Sequence, residues 1–163
     1  MSMAGDEAGG GDGGRDDGRG QRVWHPVSMV PALTVVVDEQ LAHSRTMLAK
    51  LEKARPTRPD AAVLDDATVS ETRRVYGRMA TDYRELFATQ AQAWQAEAGL
   101  DVATRARVEN FTARVDEHLV VLDAILALMD EVAPYTIEAV MGRSDLELGL
   151  EALLGYRPGP HQR

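Results

Sequence analysis

Two consecutive runs of apolar residues, each about thirty residues long and stepping at three and four, restrict most narrowly what this chain can become. The first begins between Asp60 and Thr68 and runs to Ala98. It carries Val69, Thr72, Tyr76, Met79, Tyr83, Leu86, Gln90 and Trp94 on one seam. Asp101 caps the second, which continues to about Val132 and stops before Pro134. Read backwards, its seam is Val132, Met129, Ile125, Leu122, His118, Val115, Phe111 and Val108. Gly99 can supply the left-handed turn that ends the first helix, so the two fold back as an antiparallel hairpin. The seams then match layer for layer, with Val69 facing Val132, Tyr76 facing Ile125 and Tyr83 facing His118. Helices of this length are each about 45 Å long, so the fold is elongated.

A third long helix precedes the hairpin. Pro31 suits its first turn, and Leu33, Val37, Leu41, Ser44, Leu48 and Leu51 form its stripe. The β-branched run Val35 to Val37 locally prefers strand, but the longer period overrides it. Pro56 and Pro59 close this helix at about Arg55. Thr68 to Glu71 reads as a capping box for the next helix, with Asp65 and Asp66 as rival caps. Gly77, in its interior, marks a place of close packing. Beyond Pro134, Thr136 to Met141 makes under two turns, and a capping box from Ser144 to Glu147 opens a last helix, Asp145 to Leu154. The expected fold is all-α: an elongated antiparallel helical bundle of three long helices plus a short C-terminal helical pair. Residues 28–155 form its single domain, between a disordered Gly- and Asp-rich tail at 1–27 and a frayed tail at 156–163.

Charge and composition remove several classes of function. The 163 residues include 18 Lys and Arg against 26 Asp and Glu, a formal charge of −8, which disfavours broad neutralisation of phosphates. With no cysteine, there is no disulfide framework, thiolate metal site or thiol nucleophile. Asp6, Glu7, Asp12, Asp16 and Asp17 sit where a signal peptide needs basic residues, so a cytoplasmic protein is expected. The glycines of residues 9–14 lack the lysine of a phosphate-binding loop.

Few side chains suggest chemistry. Di-iron bundles need Glu-x-x-His motifs, yet Gln40 precedes His43 and Val115 precedes His118 at that spacing. Glu39 and His43 share a helical face, which is more often a surface pair than a metal site. Arg114 and His118 lie closer together than the Arg and His of the all-helical HEPN nucleases, with Val115 where those carry a polar residue; no family is recognised. Ser44 lies on a seam without an acid–base pair suggested beside it. Arg73, Arg74, Arg78 and Arg84 cluster on one helix, but the last helix carries Asp145, Glu147 and Glu151 and would repel DNA. His118 reads as a buried partner of the Tyr83 hydroxyl that fixes the register of an apolar seam.

The residue left over is apolar. Leu119 to Leu122 and Ile125 to Met129 make the last long helix apolar nearly all round, a surplus that a second chain could cover. The expected function is therefore a non-catalytic interaction protein (an adaptor, chaperone-like or regulatory subunit), binding itself as a homodimer or another protein through apolar helix faces. Leu146, Leu150, Leu153 and Leu154 are its candidate partner-binding residues. The alternative is a small-ligand or enzymatic site inside the bundle around Tyr83, Gln90 and His118. No cofactor, metal, nucleic acid or membrane is expected as a partner.

Overall fold

The computed structural model describes residues 25–57, 61–142, 149–150 and 153–154. Among these, α1 (Val30–Lys53), α2 (Asp66–Asp82), α3 (Ala88–Gln95), α4 (Val102–Val132) and α5 (Ile137–Met141) follow in order. A π-helical turn, Tyr83–Phe87, joins α2 to α3, and the residues at both junctions keep right-handed helical dihedrals. The two helices thus form one rod. Short 3₁₀ turns, Val27–Met29 and Ala133–Tyr135, precede α1 and follow α4. The fold is all-α, with three long helical rods, and no described helix is long and apolar enough to cross a membrane.

Local chemistry sets the helix ends. Asp65 wins the competition to cap α2, its carboxylate accepting from the Thr68 N–H at 2.7 Å. Asp101 caps α4 in the same way, 2.8 Å from the Thr104 N–H. Gly99, at φ +82°, makes the left-handed step between the two rods, a conformation that a side chain resists. Pro31 occupies the first turn of α1, where its missing N–H costs nothing, and Lys50 and Lys53 complement the carbonyl end.

Charged pairs fix the directions. Asp38 with Arg114 and Arg55 with Glu131, both at 3.2 Å, show that α1 runs parallel to α4. Arg73 with Asp130 and Arg84 with Asp123, both at 2.5 Å, show that the α2–α3 rod runs antiparallel to it. The chain therefore goes up, down and up, with α4 packed against both other rods. Val108, Phe111, Val115, His118, Leu122, Ile125, Met129 and Val132, stepping alternately by three and four along α4, are all buried. That 3.5-residue period is the condition for knobs-into-holes packing. Val121 and Leu128 are buried on a flank of the same helix.

The α2–α3 rod departs from the expected seam. Leu86 is 52% exposed, and Phe87 packs inward instead, stacked on Tyr83 with ring centroids 4.5 Å apart. A π turn takes one more residue than an α turn, so Phe87 takes the inward place expected of Leu86 and Ala91 joins the stripe, while Gln90 and Trp94 are buried as expected. The close packing expected at Gly77 is also absent: a Cβ there would meet nothing within 4 Å. Helix ends shift by one to three residues, with the rod ending at Gln95 and α1 at Lys53.

At the far end, α5 is tied to the start of α2. Thr136 caps α5 and donates its hydroxyl to Asp66 at 2.5 Å, while the Ile137 N–H donates to the Leu64 carbonyl at 2.9 Å. The Asp66 N–H donates in turn to Glu138 at 2.9 Å. The last helix expected at Asp145–Leu154 lies mostly outside the described residues. Of it, the Leu154 N–H donates to the Leu150 carbonyl at 3.0 Å, one helical turn back.

Candidate functional site

Three rods each place one polar residue in the same interior layer. Ser44 of α1 and His118 of α4 are fully buried, with Ser44 Oγ 2.9 Å from His118 Nε2. Tyr83, the first residue of the π turn, meets the imidazole edge-on with centroids 4.3 Å apart and planes at 81°. The expected hydrogen bond between Tyr83 and His118 is therefore replaced: the hydroxyl that pairs with the imidazole is that of Ser44. The Tyr83 hydroxyl and His118 Nδ1 are buried without hydrogen-bond partners among the described residues.

Burial governs the ionisation of this layer. Charging an imidazole away from water is costly, so the His118 pKa is pushed down to about 4, and the ring is neutral at pH 7. Burial pushes the Tyr83 phenol up to about 12, for the same reason with opposite sign. Serine beside neutral imidazole is the composition of a nucleophile and its base. A working pair also needs access for substrate and a group orienting the second ring nitrogen. Here both side chains are sealed and Nδ1 has no such partner among the described residues.

Gln90 belongs elsewhere. Two turns beyond Tyr83 on the rod, its amide oxygen accepts from the His25 N–H at 2.8 Å and its amide nitrogen donates to the His25 carbonyl at 3.2 Å. The Trp94 indole N–H donates to that same carbonyl at 2.8 Å. The expected constellation thus divides into Tyr83 with His118, joined by Ser44, and a separate clamp in which Gln90 and Trp94 hold the segment leading into α1. Sequence reasoning placed Ser44 on the right seam but not beside His118. A single small hydroxyl among leucines on the stripe was the available signal.

The candidate partner-binding residues lie at the other end of the charge scale. Leu150, Leu153 and Leu154 are 51%, 87% and 81% exposed, and Met141 of α5 is 82% exposed. Leu146 lies outside the described residues. By contrast, three of the four arginines named on the α2–α3 rod are engaged: Arg73 with Asp130, Arg84 with Asp123, and Arg74 with Glu71 at 2.6 Å. On α4, Arg114 bonds Glu117 at 2.9 Å, and Glu117 also pairs with Arg45 of α1. Glu39 and His43 are both exposed on α1.

No protein-family model, curated protein or solved structure matches this chain.

Proposed function

We propose that the chain is a non-catalytic interaction protein that engages a protein partner through the apolar face of its C-terminal leucine segment. The observation that carries this reading is the exposure of Leu150, Leu153 and Leu154, a cluster at positions i, i+3 and i+4 with Met141 shortly before it. Leaving such groups in water forgoes about 1.5–3 kcal/mol for each leucine that full burial would recover. A helix presenting leucines at that spacing has the form used in helix-in-groove recognition. The acidic composition supplies solubility and selects against anionic partners. Self-association and the cytoplasmic setting expected from composition belong to the same proposal.

Replacing Leu150 and Leu154 with Asp tests it. The variant is expected to lose partner capture by the immobilised full chain while keeping the far-UV circular dichroism of the bundle, since both side chains are exposed. Unchanged capture and affinity would remove the reading. A second reading, a small-molecule site in the polar layer, draws on the unpartnered Tyr83 hydroxyl and His118 Nδ1. It predicts a ligand-dependent rise in melting temperature that His118→Leu abolishes.

A further inference from the structure

At the end of the bundle opposite α5, residues 25–29 cross from α3 to the start of α1, and they are gripped at a single residue. The Gln90 amide oxygen accepts from the His25 N–H at 2.8 Å and its amide nitrogen donates to the His25 carbonyl at 3.2 Å. The Trp94 indole N–H donates to the same carbonyl at 2.8 Å. A residue before proline favours extended backbone, in which its own N–H and C=O point to one side, so a single side-chain amide can meet both. Pro26 stays extended at φ −65° and ψ 153°, and the Met29 N–H closes a 3₁₀ turn on the Pro26 carbonyl at 2.9 Å before Val30 opens α1.

What this strap covers is buried far more deeply than the strap itself. Trp94 is 2% exposed and Gln90 7%, and the indole meets the Phe111 ring edge-on at 5.3 Å. In the strap, His25, Pro26, Ser28 and Met29 are exposed, and Val27 alone packs against the core, half-buried. Val30, the next residue, is sealed. A segment that buries so little apolar surface opens locally at low cost, whereas the core of α4 opens with the bundle.

We propose that residues 25–29 are a latch that opens as a unit while the three rods stay folded, with its hinge at the first residue of α1. Opening uncovers the Gln90 amide and the Trp94 indole together. With them it uncovers the outer end of a row of rings that runs through Phe111 and Phe87 to Tyr83. The latch thereby sets whether this end of the core is sealed or open to solvent. Because all three hydrogen bonds go to the main chain of His25, the grip does not depend on the imidazole.

Hydrogen exchange on the full chain, followed by NMR with and without mild urea, tests the latch. The His25 N–H is expected to be protected, yet to exchange at least about a hundredfold faster than the Phe111 N–H. Its rate should also depend little on urea, because its opening exposes little surface. His25→Pro removes the N–H that Gln90 accepts, and should speed exchange of the Trp94 indole N–H about tenfold with the far-UV circular dichroism unchanged. His25→Ala keeps the main chain and should leave that exchange as it is. The Trp94 signal is told from that of Trp24 by its loss in Trp94→Phe. Equal rates and equal urea dependence for His25 and Phe111 would overturn the inference, since the strap would then open only with the bundle. So would an unprotected His25 N–H, which would mean that the latch does not close. Indole exchange as fast in His25→Ala as in His25→Pro would overturn it too, by placing the grip on the side chain.

Discussion

Replacing His118 with leucine should flatten the pH dependence of stability in a defined window. In the folded chain the imidazole is sealed, with its pKa pushed down from 6.5 to about 4 by burial. In the unfolded chain it titrates near 6.5. Between those values the unfolded state takes up a proton that the native state refuses, so stability is lost as pH falls. At pH 7 both states are largely neutral and the penalty is absent. By pH 5 it amounts to about 2 kcal/mol, and it is complete only below the folded pKa of about 4. His118→Leu removes this term and leaves every other titration in place. The same change strands the Ser44 hydroxyl, a cost of about 1–3 kcal/mol that is independent of pH in this range. Pairing His118→Leu with Ser44→Ala removes that second cost. Urea unfolding followed by circular dichroism at pH 7 and pH 5 measures both effects. The difference between wild type and Ser44→Ala/His118→Leu should change by about 2 kcal/mol across the interval, in favour of the variant at pH 5. Parallel pH dependence of the two proteins would refute the assignment of His118 as a neutral, buried group.

Two further substitutions test the local account of the α2–α3 rod. Gly77→Ala should stabilise the chain by about 1 kcal/mol in urea unfolding, since a Cβ there meets open space and a helix interior favours alanine; a loss of stability would mean that the position is closely packed after all. Phe87→Ala should cost about 2 kcal/mol, because the ring stacks on Tyr83 and lies 6.4 Å from that of Phe111, whereas exposed Leu86→Ala should cost within about 0.5 kcal/mol. The reverse order would place Leu86 on the inward seam and remove the π turn from the argument.

What the sequence shows and what it hides follow from the range of the interactions. The seam of α4 was legible because its 3.5-residue period is a local property, and all eight of its inward residues are buried. Asp101 and Gly99 were legible for the same reason, as a cap and a left-handed turn depend on neighbours alone. The π turn was not, because one additional residue leaves no mark in a pattern that tolerates steps of both three and four. Leu86 was placed inward as a consequence, in the position that Phe87 takes. Ser44 was placed on its stripe, but its bond to His118 depends on how α1 is set alongside α4, a register that no local pattern specifies. The leucines of the last helix form an apolar stripe in the sequence, of which Leu146 lies outside the described residues. Whether such a stripe folds inward or stays in water depends on what surface remains uncovered, and Leu150, Leu153 and Leu154 are exposed.

The most direct measurement is light scattering behind size exclusion on the full chain and on the Leu150→Asp/Leu154→Asp variant, over a wide range of concentration. The wild type is expected to reach the mass of two chains as concentration rises, and the variant to stay at one. A single-chain mass for both proteins at every concentration would contradict that expectation.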